Sequence, residues 1–95
     1  KKLNLINAWT VYGEEGSYHT IHKHNEKHHP HLATVIYLKV PKKEPGDFTY
    51  ILNESYDFIT PKEGDIFVFP IHMIHGTYPQ GKGLRQTLNL DFEIL

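Results

Sequence analysis

The sequence holds no cysteine among its 95 residues, which rules out disulfides and thiolate metal sites. Long apolar runs are missing as well, so no helical membrane span is expected, and no signal-peptide pattern opens the chain. Neither sign of charge dominates. Ten Lys and Arg against eleven Asp and Glu leave a net charge of −1 with neutral histidines, so nothing pulls the chain electrostatically toward nucleic acid or an anionic membrane. No apolar period of 3.6 persists over three turns, so little or no helix is expected. At 39% hydrophobic and 22% charged residues, the composition is that of an ordinary globular protein, by default cytoplasmic, with one modest core. A single domain over residues 1–95 is expected, and the abrupt start at Lys1-Lys2-Leu3 suits the core of a longer chain.

What is present is turn punctuation at short intervals. Gly13, Gly16, Pro30, Pro41, Pro45-Gly46, Pro61, Gly64, Pro70, Pro79, Gly81 and Gly83 separate runs rich in β-branched and aromatic residues. These runs predict strands over 5–12, 17–24, 32–40, 47–53, 55–60, 65–70, 74–79 and 84–94. The last run alternates strictly: Leu84, Gln86, Leu88, Leu90, Phe92 and Ile94 on one face, Arg85, Thr87, Asn89, Asp91 and Glu93 on the other. About eight short strands predict an all-β jelly roll, a double-stranded β-helix that wraps two sheets around one interior and so limits exposed edges. Trp9, Phe48, Phe58, Phe67, Phe69 and Phe92 are expected to form its core.

Histidine is in excess. Six of the eight histidines crowd between His19 and His31, neither contiguous nor terminal as a purification tag would be. Residues two apart on a strand share a face, so His22 and His24 are expected to project together as a ready pair of metal ligands. A third ligand must come from a distant strand. His75, just after the apolar run closed by Pro70, is the candidate and His72 its competitor. His28, His29 and His31 flank Pro30 and are expected in a solvated loop.

In order and spacing, these segments resemble the 2-oxoglutarate- and Fe(II)-dependent oxygenases, prolyl-hydroxylase-like members included. The resemblance runs through Tyr12-Gly13-Glu14-Glu15-Gly16, His22-x-His24, the strand Leu32-Ala33-Thr34-Val35-Ile36-Tyr37-Leu38, Pro61-x-x-Gly64-Asp65 with its apolar strand to Pro70, His75, and Arg85-x-Thr87, covering roughly residues 9 to 93. It implies Fe(II) held by His22, His24 and His75, with 2-oxoglutarate as co-substrate. Arg85 would grip the far carboxylate with its planar fork of donors. Thr87 would add a hydroxyl, and a phenol from Tyr18, or alternatively Tyr37, would complete that pocket. The plain alternative for Arg85 is a solvated strand arginine paired with Asp91 or Glu93.

The sequence departs from the family pattern at His24, where most members carry aspartate. A neutral imidazole there leaves a bound Fe(II) with its full 2+ charge. Three-histidine sites also occur in cupins, which share the barrel, but Glu26 comes too early for the cupin glutamate and Arg85 has no cupin role. The resemblance therefore implies an oxygenase that hydroxylates an unidentified small-molecule or peptidyl substrate. The alternatives are a cupin-type dioxygenase or isomerase without 2-oxoglutarate, and a non-catalytic ligand-binding jelly roll. Nucleic acid and membrane are not expected as partners; pairing with a second copy would cover an open barrel edge.

Overall fold

The computed structural model describes residues 2–22 and 31–95. Eight strands follow in order: β1 (Leu3–Gly13), β2 (His19–His22), β3 (His31–Lys39), β4 (Phe48–Leu52), β5 (Ser55–Ile59), β6 (Ile66–Pro70), β7 (Ile74–Thr77) and β8 (Arg85–Ile94). Their ends differ from the expected ones by at most two residues. No helix occurs among the described residues. One difference is at His31, expected in a loop, which opens β3 opposite Glu93.

The strands form two antiparallel four-stranded sheets, ordered β1-β8-β3-β6 and β2-β7-β4-β5. Apart from the β4–β5 hairpin, successive strands alternate between the sheets, which is the double-stranded β-helix. That hairpin turns through Asn53 and Glu54, both at positive φ (52° and 66°), as a tight two-residue turn requires.

The core lies between the sheets around Phe48 of β4. Its ring sits 5.2 Å from Phe69 and 5.4 Å from Phe67 by centroid, and Ala33, Val35, Tyr50 and Met73 pack about this group. Not every aromatic joins it. Phe58 lies on the edge strand β5 and is exposed, and Trp9 is more than a third exposed on the inner side of β1. Phe92 stands on the opposite face of β8 from Arg85 and is only partly buried.

The two faces of β8 are arranged in an unusual way. Arg85, Thr87 and Asp91 are buried, whereas Leu88, Leu90, Phe92 and Ile94 are only partly covered. The polar face therefore points into the barrel and the apolar face lies on its outside. An ordinary amphipathic strand does the reverse.

Candidate metal and co-substrate site

His75 is positioned by β7, which starts after a tight turn closed by Met73 N–H donating to the Pro70 carbonyl. Its ring is buried against Phe69 at 4.7 Å and stacked on Phe48 at 5.8 Å. Nδ1 lies 2.7 Å from the Met73 carbonyl oxygen, which can only accept. Nδ1 therefore carries the proton and Nε2 presents the lone pair, the tautomer that a metal-ligating histidine needs.

His22 occupies the register position opposite His75 in the β2–β7 pair. The pairing runs from His19–Thr77 to His22–His75, so β2 spans one residue more than its partner. This bulge breaks the two-residue periodicity, and His19 and His22, three apart, stand opposite two residues of one β7 face. Without it, Ile21 would hold the place opposite His75. His24 lies outside the described residues, as do His28 and His29. His72 sits exposed in the turn before β7 and does not line the cavity.

A cavity of about 190 Å³ opens beside His75 and contains Tyr37, Arg85, Thr87 and Asn89 in its wall. That is smaller than a drug-sized pocket of about 300 Å³ and upward, and suits a small ligand. Arg85 is only 5% exposed. Its Nη1 donates to the Pro45 carbonyl at 3.2 Å, and no carboxylate pairs with it among the described residues. Two glycines make room for it. Gly13 is its register partner on β1, and a Cβ there would strike Gln80 and crowd the Arg85 Nε. A Cβ on Gly46, whose φ is 84°, would drive into Nη1. Gln80 Oε1, a buried acceptor with no partner among the described residues, lies in the same corner.

Tyr37, 2% exposed, is held by its backbone. Its N–H donates to the Asp65 carbonyl and its carbonyl accepts from Gly64 N–H, while Asp65 Oδ2 accepts from Lys62 N–H. The Pro61-x-x-Gly64-Asp65 motif is thus a turn that docks onto β3 beside Tyr37. Burial pushes the phenol up to about 12, with the Arg85 charge partly opposing and Asp65 adding to the rise. It is therefore a proton donor at neutral pH. The same burial lowers the Arg85 guanidinium from its ordinary value, and Tyr37 opposes that shift. Thr87 Oγ1 donates to Asn89 Oδ1 at 2.7 Å. Tyr18, by contrast, is 58% exposed and belongs to a separate surface hollow.

These residues fit the co-substrate that the resemblance implies and one of its three metal ligands, His75; among the described residues no three His, Asp or Glu side chains gather. A buried histidine with its outer nitrogen fixed suits a divalent metal. A buried guanidinium lacking a carboxylate partner, with a neutral phenol and a hydroxyl in the same cavity wall, suits a dicarboxylate. A buried unpaired charge costs several kcal/mol, so it calls for an anion.

No family model matches the sequence, and no curated protein matches it. Solved structures do. An oxidoreductase of the 2OG-Fe(II) oxygenase family from Burkholderia pseudomallei superposes with a TM-score of 0.85 at 14% identity, over 97% of this chain and 45% of its own. The collagen prolyl hydroxylase of Paramecium Bursaria Chlorella virus-1, a 2OG complex, gives 0.79 at 17% identity, over 99% and 62%. HygX from Streptomyces hygroscopicus, with nickel and 2-oxoglutarate bound, gives 0.79 at 14% identity, over 96% and 57%. The chain thus has the double-stranded β-helix fold of these oxygenases and spans about half their length.

Proposed function

We propose that this chain carries the catalytic core of an Fe(II)- and 2-oxoglutarate-dependent oxygenase that hydroxylates a small-molecule or peptidyl substrate. One observation carries the reading: the buried, carboxylate-free Arg85 and the buried His75 line the same cavity. Two of the oxygenases sharing the fold were solved with 2-oxoglutarate. His75 Nε2, His22 and His24 would hold the metal, which supplies the redox chemistry of dioxygen activation when bound. Arg85 would bind the distal carboxylate, with Tyr37 O–H donating a further hydrogen bond, and Thr87 would join them by turning its hydroxyl proton from Asn89 Oδ1 to the ligand. The aromatic wall of Phe48 and Phe69 behind His75 keeps bulk water from the metal side of the cavity. A cupin lacking the co-substrate would have no use for a buried guanidinium at this place.

The test is anaerobic Fe(II) titration followed by thermal melting with 2-oxoglutarate. At one hundred times its Kd the co-substrate should add about 2.7 kcal/mol of stability. The gain should vanish in Arg85→Ala, and decarboxylation of 2-oxoglutarate without substrate should be detectable. A melting temperature indifferent to every keto acid would end the co-substrate reading.

A further inference from the structure

Gln80 stands in the loop between β7 and β8 and is 3% exposed. Both of its backbone groups are tied to the segment after β1. Gly16 N–H donates to its carbonyl at 2.8 Å, and its own N–H donates to the Ser17 carbonyl at 3.1 Å. The side-chain amide is held from one end: Nε2 donates to the Gly83 carbonyl at 2.8 Å and lies 3.5 Å from the Gly81 carbonyl. Carbonyls only accept, so that end of the amide is the nitrogen and the oxygen faces the other way. There it meets Gly13 and Arg85. Gln80 Oε1 and Arg85 Nε both lie within 3.4 Å of the point that a Cβ on Gly13 would occupy. Oε1 is buried without a hydrogen-bond partner among the described residues, and Arg85 spends only Nη1, on the Pro45 carbonyl. An unpaired acceptor and an unspent charged donor thus share a corner that a glycine leaves open.

A buried acceptor left unpaired is costly, and hydrogen bonds from charged donors are among the stronger ones. We propose that Gln80 is the positioning residue of Arg85: its Oε1 accepts from the Arg85 Nε–H and, with the Pro45 carbonyl on Nη1, fixes the plane of the guanidinium so that Nη1 and Nη2 meet an anion in the cavity end-on. The terminal torsion of a glutamine is broad, so the amide tilts to close this contact. A neutral amide suits the task. It orients the fork of donors and leaves the charge to the ligand, whereas a carboxylate in its place would cancel it. That anion is the co-substrate proposed above, so the role rests on that reading, while the contact between Gln80 and Arg85 does not.

Arg85 is the single arginine of the sequence, so its Nε–H gives one unambiguous magnetic resonance signal. In wild type that proton should exchange with water at least about tenfold more slowly than in Gln80→Met, which keeps the length of the side chain and removes its acceptor. Equal rates overturn the proposal. A second measurement needs no variant to fold: in the isotope-labelled wild-type protein, a scalar coupling across the hydrogen bond should join Arg85 Nε to the Gln80 side-chain carbonyl carbon, and its absence overturns the proposal. Calorimetry on the Fe(II)-loaded, oxygen-free protein reads the role itself. Gln80→Met should bind 2-oxoglutarate at least about tenfold more weakly, and an affinity within about twofold of wild type overturns the proposal. 2-Oxobutyrate, which has the keto-acid end without the distal carboxylate, separates positioning from general damage. Its affinity should be equal in the two proteins, and a loss matching that of 2-oxoglutarate overturns the proposal. If wild type binds neither keto acid, the co-substrate reading fails alone, and the exchange rates and the coupling still decide whether Gln80 holds Arg85.

Discussion

Two halves of one barrel interior are buried to a similar degree and have opposite chemistry. Around Phe48, the inner faces of β3, β4 and β6 are aromatic and aliphatic, with Phe69 and Phe67 in tilted and edge contact. Along β8, the inner face reads Arg85, Thr87, Asn89, Asp91. The first half releases apolar surface from water and stabilises the fold; each aromatic pair adds about 0.5–1.5 kcal/mol beyond area. The second half buries Arg85 with a carbonyl but no carboxylate beside it among the described residues, which works against folding. Burial alone therefore does not reveal what a side chain is for. On the Phe48 side it reports stability, and on the β8 side it reports polar groups set into a cavity wall.

Substitutions can break this contrast. The largest effect is expected from Phe48→Ala, a loss of about 3–5 kcal/mol in denaturant unfolding. A loss under about 1 kcal/mol would mean the aromatic half is not the stabilising one. Arg85→Met should do the opposite to the empty protein, leaving it as stable or more so, while 2-oxoglutarate affinity measured by calorimetry drops by about 2–5 kcal/mol, at least thirtyfold. Gly46→Ala strikes the boundary between these effects. It places a Cβ at φ 84° against the guanidinium, so stability should fall by roughly 1–3 kcal/mol and co-substrate affinity should fall with it.

The smallest effect concerns alkali. The Tyr37 phenol titrates near 12 in the folded chain against 10.0 ordinarily, so the folded state holds its proton longer than the unfolded one. That contribution is complete below pH 10 and is lost as pH rises toward 12, on the order of 3 kcal/mol at most. Tyr37→Phe should flatten the fall in stability across that window, as followed by circular dichroism.

Much of the architecture was legible because glycine and proline cut the chain where strands end, and β-branched residues fill the intervals. The alternation on β8 was equally plain, but not its orientation, since a wet interior and a wet exterior demand the same residues. A solvated Arg85 paired with Asp91 or Glu93 therefore stays open as an alternative on sequence alone, and the burial of Arg85 and Asp91 on one face of β8 is what closes it. Between Tyr18 and Tyr37 the sequence offered no choice; the turn at Gly64-Asp65 that docks beside Tyr37 makes a contact between distant segments, which no local pattern encodes. The bulge in β2 was invisible for the same reason. Phe58 was placed in the core by its hydrophobicity, whereas β5, as an edge strand, leaves it exposed.

The polar inner face of β8 has a consequence for the protein's lifetime. A chain that buries Arg85 with no carboxylate beside it among the described residues gives up stability that a bound anion would restore, and marginal proteins are continuously removed by proteases. An anion that binds beside Arg85 would then raise the abundance of the chain as well as occupy its cavity.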